Sequence, residues 1–344
     1  MSKFPTKDNF KNHRSKPQEY LESVLPFKSY LFSKNILPRK TKKVYIYDVF
    51  GQKFADFFLD HGRYYLGFSD KYITRMVKDY LKSTILSYSN GIFTYRFLKV
   101  VRDTMNFDFK LTSFARNYKM LKFIIDEFSG GKATTNSNYL NKVLGLKVAF
   151  KEPFVFDPFS DALEIRDLAN SAPIIFLGRG IRYPEIMEWL SNVDSSMVVL
   201  NFGRFFGIFA RDRKSKSFIE VIRSILRGSR VDGMSDVYNV SEFDAVFGYY
   251  YTIREAFLVK KKLFRLKNYT SRWLTKFVDD GFFDVLTPYS ARVREDVYSE
   301  EMNKFLLSEG ILTDGNILFF SFQTEEPDFT RLRRKINQYR GQIE

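Results

Sequence analysis

Between Val143 and Leu200 short apolar runs alternate with amphipathic ones. Leu146–Phe150, Val155–Phe156, Pro173–Leu177 and Met197–Leu200 have the length and apolar content of buried strands. Asp161–Asn170 and Pro184–Leu190 have helical spacing and lie between them. Parallel strands need a crossover, and a crossover helix covers the sheet face, so this alternation predicts an α/β fold with a mostly parallel sheet. At 344 residues the chain has room for about two domains of ~100–200 residues each.

Different patterns flank that core. Residues 1–17 read as a loose basic arm, and Gln18–Leu25 as a short helix stopped by Pro26. Val44–Tyr47 and Lys53–Leu59 are apolar runs around the turn signal Asp48-Val49-Phe50-Gly51-Gln52, which predicts a β-hairpin. Helices follow over Asp70–Leu81, Tyr95–Met105 and Asn117–Phe128, the last ended by Ser129-Gly130-Gly131. A long basic helix is expected over Thr252–Val278, with Val259, Leu263, Leu266, Trp273 and Phe277 on one face. Tyr298–Gly341 reads as helix, strand (Ile317–Phe322) and helix (Asp328–Tyr339). The layout is an N-terminal segment over 1–85 joining a small α+β domain, a large α/β domain over 86–250, and the small domain's C-terminal part over 251–344.

Composition removes several chemistries. There is no cysteine, which excludes disulfides, thiolate nucleophiles and Cys-based zinc sites. His13 and His61 are the only histidines, which argues against a Ser-His-Asp triad. Met1–Lys16 is polar and charged, and no run of ~18 apolar residues exists, so a soluble, cytoplasmic chain without membrane contact is expected. The charge is lopsided, 55 Lys+Arg against 40 Asp+Glu, formally +15.

The hairpin carries a resemblance. Val44-Tyr45-Ile46-Tyr47-Asp48-Val49-Phe50-Gly51-Gln52-Lys53-Phe54-Ala55-Asp56-Phe57 is similar to the first hairpin of class III aminotransferases, apolar-x-D-x-D-G-x-x-[YF]-x-D-[FL]. Gly62–Ser69 resembles the family's loop ending in L-G-H. Phe305–Leu312 resembles its "LL-x-x-G-I" strand, and Ser321–Asp328 its "S-x-x-H-T-x-x-D" helix start. Among class III proteins the look is that of glutamate-1-semialdehyde aminomutases. The resemblance implies the fold type I architecture of pyridoxal phosphate (PLP) enzymes, with a large α/β domain, a small domain from both termini, and a homodimer whose active site lies at the interface.

The chemistry of such an enzyme needs a Schiff-base lysine, a carboxylate on the pyridine nitrogen, a Gly/Ser/Thr turn at a helix N-terminus for the phosphate, and a threonine from the neighbouring subunit. At the turn the family reads S-G-T, and this chain reads Thr112-Ser113-Phe114-Ala115-Arg116. Ser113 is expected as an ordinary helix N-cap, and Arg116 keeps an anion contact open. Two registers cover the strands. In the preferred one Pro173–Leu177 matches "A-V-I-x-E-P", Met197–Asn201 matches "L-L-I-F-D", Asn201 replaces the aspartate, and Arg223 of Ile222–Gly228 replaces the lysine. In the other, Pro173–Leu177 is the aspartate strand, Leu177 takes the carboxylate's place, and Leu200–Gly203 falls where the lysine belongs. Neither arginine nor amide does the required work, because guanidinium stays protonated and an amide carries no charge. Lys214 and Lys216 lie in a charged run read as a solvated loop. Val237–Glu242 aligns with "V-Y-H-x-G-T", putting Glu242 where the threonine would contact phosphate.

The resulting expectation is a non-catalytic protein with no covalent PLP, using a dimeric scaffold to bind a small anionic ligand or a protein partner. Ser113, Asn201, Arg223 and Glu242 are the degenerate site positions. Arg116, Arg223 and Arg227 should cluster, with Glu242 pairing one of them across the interface. Phe205, Phe206, Phe247 and Tyr249–Tyr251 are read as an exposed apolar patch that supports dimerisation. One alternative is an active PLP aminotransferase or aminomutase. The other is a nucleic-acid-binding module using the basic stretch Arg254–Lys276. Asn201–Gly207 is a poor nucleotide loop, and Asp157, Asp161 and Glu164 read as helix-start charges rather than a metal set.

Overall fold

The computed structural model describes residues 30–83, 91–105, 107–109, 111–149, 151–158, 172–178, 184–211, 241–279, 281–287, 290–313 and 315–342. The arm at 1–17, Gln18–Leu25 and Asp161–Asn170 lie outside these residues, as do the side chains of Leu263, Leu266, Trp273 and Phe277. The chain divides into two compact units. One draws on both chain ends (Met1–Asp70, Arg272–Val285, Ser290–Glu344), and the other holds Lys71–Ser271 and Leu286–Tyr289.

In the chain-end unit, β1 (Pro38–Lys42), β2 (Tyr45–Asp48) and β3 (Lys53–Asp56) form an antiparallel meander. Asp48 builds the hairpin turn, its Oδ1 accepting from the N–H groups of Phe50 (2.9 Å) and Gln52 (2.7 Å). Gly51 sits at φ +84°, where a β-carbon would be strained. Asp56 repeats the device, its Oδ1 accepting from Phe58 and Leu59 N–H at 2.8 Å each. Those bonds launch a left-handed turn in which Leu59, Asp60 and His61 have φ of 48°, 50° and 57° before Gly62 at 77°. Burial raises the Asp56 carboxyl to about 7, and burial also raises Asp60, opposed by Arg63.

The tail of the chain completes this unit. β13 (Ile311–Leu312) joins β3 in parallel, Ile311 opposite Ala55. β12 (Ser290–Val293) pairs with β14 (Ile317–Phe319), and β11 (Phe283–Thr287) lies on its other edge. Ser299 caps α7 (Glu300–Ser308), accepting from Met302 N–H at 3.0 Å. Asp328 in the first turn of α8 (Glu326–Arg340) accepts from Glu325 N–H at 2.8 Å and from the Tyr45 hydroxyl.

The central unit holds α1 (Lys71–Ser83) and α2 (Ile92–Met105), then a sheet of seven strands. These are β4 (Leu111–Ala115), β5 (Thr134–Thr135), β6 (Lys147–Val148), β7 (Val155–Phe156), β8 (Ile174–Leu177), β9 (Met197–Asn201) and β10 (Phe206–Ala210), in spatial order β4-β10-β9-β8-β7-β5-β6. From β9 to β6 the strands are parallel, whereas β10 runs antiparallel to both β9 and β4. Every residue of β8, β9 and β10 is buried, so both sheet faces are covered. On one face α3 (Tyr118–Ser129) and α4 (Asn138–Leu144) bury Leu121, Ile124 and Leu140 in a core with Phe176, Val199 and Ile208. α5 (Pro184–Asn192) links β8 to β9. On α6 (Glu242–Asp279) Gly248 lets rings approach, because a Cβ there would meet Phe97 at 2.7 Å and Phe205 at 2.9 Å.

The α/β expectation matches this sheet. β10 was not anticipated, because Asn201–Gly207 read as a glycine-bearing loop rather than a tight reversal. α6 starts at Glu242, ahead of the expected Thr252.

Candidate functional site: the strand-end edge of the central sheet

In open α/β sheets ligands bind outside the carboxyl ends of the parallel strands. Here those ends are Asp157, Leu177-Gly178 and Asn201-Phe202. Register brings Ala115, Phe206 and Asn201 into one row across β4, β10 and β9.

Each strand end is committed to internal structure. Asp157 is fully buried, and its Oδ2 accepts from Ser137 Oγ at 2.8 Å. Its N–H donates to Asn136 Oδ1 at 2.8 Å, and its carbonyl accepts from Asn136 Nδ2 at 3.0 Å. Ser137 Oγ in turn caps α4, accepting from Leu140 N–H at 3.3 Å. Leu177 is buried and aliphatic, and the Phe176 ring lies so close to Gly178 that a Cβ would meet it at 2.0 Å. Asn201 is buried, and its Oδ1 accepts from Gly203 N–H at 2.8 Å, closing the reversal into β10. Phe202 stacks on Phe205 at 5.3 Å and meets Phe97 edge-on at 4.9 Å.

The helix start beside this edge differs from expectation. Ser113 is not an N-cap. It lies inside β4, buried and opposite Ile208, because pairing with β10 carries the strand on to Ala115. The cap of α3 is Asn117, whose side chain accepts from Met120 N–H at 2.9 Å.

Glu242 also has another task. Its carboxylate accepts from Gly91 N–H (2.9 Å), Phe93 N–H (3.1 Å) and Thr94 Oγ1 (3.2 Å), closing the N-terminus of α2 within the same chain. Beside this edge Asp244 faces two arginines, Arg204 at 3.7 Å and Arg116 at 4.0 Å, and Ser241 Oγ donates to it at 2.8 Å. Arg204 also lies over the Phe243 ring at 4.8 Å. Arg223, Arg227, Lys214 and Lys216 lie outside the described residues. Asp244 and Arg204 went unrecognised in the sequence. The available signal was two acids in the first turn of a helix, only one of which is needed as a cap.

Half of the expected exposed patch is core: Phe205, Phe206 and Tyr251 are buried inside the chain, whereas Phe247, Tyr249 and Tyr250 are half-buried. Among the described residues no group of three or more His, Asp or Glu could hold a metal, and no helix is long and apolar enough to cross a membrane.

No known family profile matches the sequence, and no curated protein sequence matches it. Solved structures do match. A transaminase solved with PLP bound overlays 96% of this chain and 98% of its own at a TM-score of 0.65 and 10% identity. The ornithine aminotransferase of Toxoplasma gondii ME49 overlays 99% of this chain and 97% of its own at 0.63 and 11% identity. A glutamate-1-semialdehyde-aminomutase from Pseudomonas aeruginosa PAO1 overlays 90% of this chain and 88% of its own at 0.63 and 10% identity. Overlap of that extent sets the architecture: an α/β chain with the fold type I arrangement of PLP-dependent aminotransferases. At such identity it sets the fold alone.

Proposed function

We propose that this chain is a non-catalytic protein built on the aminotransferase scaffold. The observation that supports the reading is the strand-end edge, which is filled by its own side chains, with Leu177 and Asn201 buried at the ends of β8 and β9. Three adjacent parallel strands in chain order favour the register in which β8 takes the aspartate strand's place. β7 then ends in Asp157-Pro158, an acid–proline pair like the family's E-P, β8 ends in Leu177 where the carboxylate belongs, and β9 runs into Asn201-Phe202-Gly203 where the lysine belongs. The preferred register of the sequence reading leaves β7 without a counterpart. With β10 and β4 already flanking β9, that register also leaves no place beside β9 for a lysine strand.

These residues do not fit PLP. An aliphatic side chain cannot hold the pyridine nitrogen protonated, a buried amide spent on Gly203 N–H is not available, and a Schiff base needs a desolvated lysine. No step through that cofactor is derived. The edge keeps two half-exposed guanidiniums, Arg116 and Arg204, on Asp244. A small anion there would compete with Asp244, so a protein partner suits the edge better than a small anion. The dimeric habit implied by the resemblance supports a homodimer.

The test is an absorbance spectrum of the purified chain with and without added PLP, followed by borohydride and peptide mapping. The expected result is no visible aldimine band and no modified peptide. A PLP-modified Lys214 or Lys216 would establish the enzyme reading instead. Light scattering at micromolar concentration tests the dimer, which a monomer mass of 40.7 kDa would refute.

A further inference from the structure

The meander β1–β2–β3 has two unlike faces, and its register sorts the side chains between them. Thr41, Ile46 and Phe54 share one face, where Ile46 and Phe54 pack with Ile36, Phe58 and Leu312. The opposite face carries Lys40 and Lys42 of β1, Tyr45 and Tyr47 of β2, and Lys53 of β3. Lys40 is paired with Tyr47, Lys42 with Tyr45, and Tyr47 with Lys53 on its other side. Paired positions are direct neighbours, so Tyr47 stands between two lysines. α8 meets this face at its Tyr45 end, through the hydroxyl bond to Asp328. Lys40, Lys42 and Lys53 are exposed, and Tyr45 and Tyr47 are half-buried.

The lysines of this face differ from others in the same unit. Lys43 is matched by Glu325, and Lys335 by Glu309. Among the described residues no acid pairs with Lys40, Lys42 or Lys53. Two of them lie over the rings instead. The Lys40 ammonium is 4.8 Å from the centre of the Tyr47 ring, and that of Lys53 is 3.5 Å from the centre of the Tyr45 ring. An ammonium over a ring at an exposed site is held weakly, and a flexible four-carbon stem lets it turn to an arriving anion.

We infer that this face of the chain-end sheet binds single-stranded nucleic acid, with its lysines on backbone phosphates and a base on Tyr47. The occupant follows from charge and ring together. Three neighbouring cations without acids attract a polyanion. Rings on a middle strand, with cations on the strands to either side, let phosphates be tracked while unstacked bases lie on the rings. A duplex keeps its bases stacked and offers the ring nothing. A bilayer would need apolar side chains to enter it, and Val49 and Phe50 of the hairpin turn are half-buried rather than exposed. The inference rests on β1, β2 and β3 alone and stands whether or not the strand-end edge is catalytic.

The test uses the full chain and a fluorescein-labelled oligothymidylate of about 16 nucleotides, read by anisotropy across a salt series. Binding should weaken as salt rises, and the pair Lys40→Gln and Lys53→Gln should lower the log–log slope by about 1.4, two phosphates' worth. Tyr47→Ala should weaken binding at least about fivefold with the slope unchanged, and Tyr47→Phe, which keeps the ring, should bind like the parent chain. The two lysines are exposed, so their circular dichroism should be unchanged, and the pair decides the matter if Tyr47→Ala does not fold. No binding at low salt would overturn the inference. Binding that survives the lysine pair with its slope intact would also overturn it, placing the polyanion elsewhere on the chain. Poly-glutamate competing as well as unlabelled oligonucleotide would overturn it in favour of an acidic protein partner. Capture by phosphatidylserine vesicles without oligonucleotide binding would overturn it in favour of a lipid surface.

Discussion

In the chain-end unit Asp48, Asp56 and Asp328 each accept backbone N–H groups and so fix a turn or a helix start. At the strand ends of the central sheet the positions that would carry chemistry hold Leu177, Asn201 and Phe202, and they are packed or spent internally. Both regions resemble the same family. The difference separates residues that serve the backbone from residues that serve a cofactor. An acid that shapes a hairpin is needed as long as the fold is kept, whereas an acid beneath a pyridine ring is needed only while the ring is there.

The sharpest way to break this comparison is to restore a carboxylate at the edge. Leu177→Asp buries an unpaired charge among side chains that leave it no room, and should cost about 4 kcal/mol in a urea melt. A stable variant that gains a PLP absorbance band would mean that the edge is still a cofactor cavity. Next in size is Glu242→Ala. It strands the Gly91 and Phe93 N–H groups and the Thr94 hydroxyl, for an expected loss of about 3 kcal/mol. Glu242→Gln, which keeps an acceptor, should lose about 1 kcal/mol. Equal losses would point to charge at the end of α2 rather than hydrogen bonding.

A smaller effect sharpens the chain-end side. The Asp56 carboxyl is raised from 3.8 to about 7, so the folded chain holds its proton where the unfolded chain has lost it. Between about pH 4 and 7 unfolding releases that proton, and stability falls as pH rises, by up to about 1.4 kcal/mol per pH unit. Asp56→Asn should remove that slope, and an unaltered stability–pH curve would show that Asp56 is ionised throughout. The smallest expected change is Asp244→Asn, under about 1 kcal/mol, since Arg116 and Arg204 are half exposed and solvent screens both pairs. A loss near that of Glu242→Ala would make Asp244 the structural anchor of the edge.

Much of the architecture was legible. Turn chemistry at Asp48–Gln52 and at Ser129-Gly130-Gly131 is local, so hairpin and helix end could be read directly. The short apolar strands Pro173–Leu177 and Met197–Leu200 stood out because full burial on both faces leaves no polar positions. The same reasoning, applied to Phe205–Ala210, would have made it a buried strand rather than an exposed patch. The edge was harder. Ser113 and Asn117 are both good caps in sequence, and only the sheet pairing of β4 decides between them. Glu242 was matched to a phosphate contact by an ungapped alignment, whereas its real partners, Gly91 to Thr94, lie about 150 residues away in the chain.

The left-handed turn after β3 has a consequence for how the gene can change. Three successive non-glycine residues there hold a backbone twist that β-branched side chains all but forbid. Asp60 and His61 are among the types that tolerate it, and Leu59 is the misfit. In a library saturating these codons, valine, isoleucine and threonine should vanish from all three positions, while glycine rises at 59. That signature would be written by chirality alone, independent of any ligand, and would mark this bend in related chains too diverged to align.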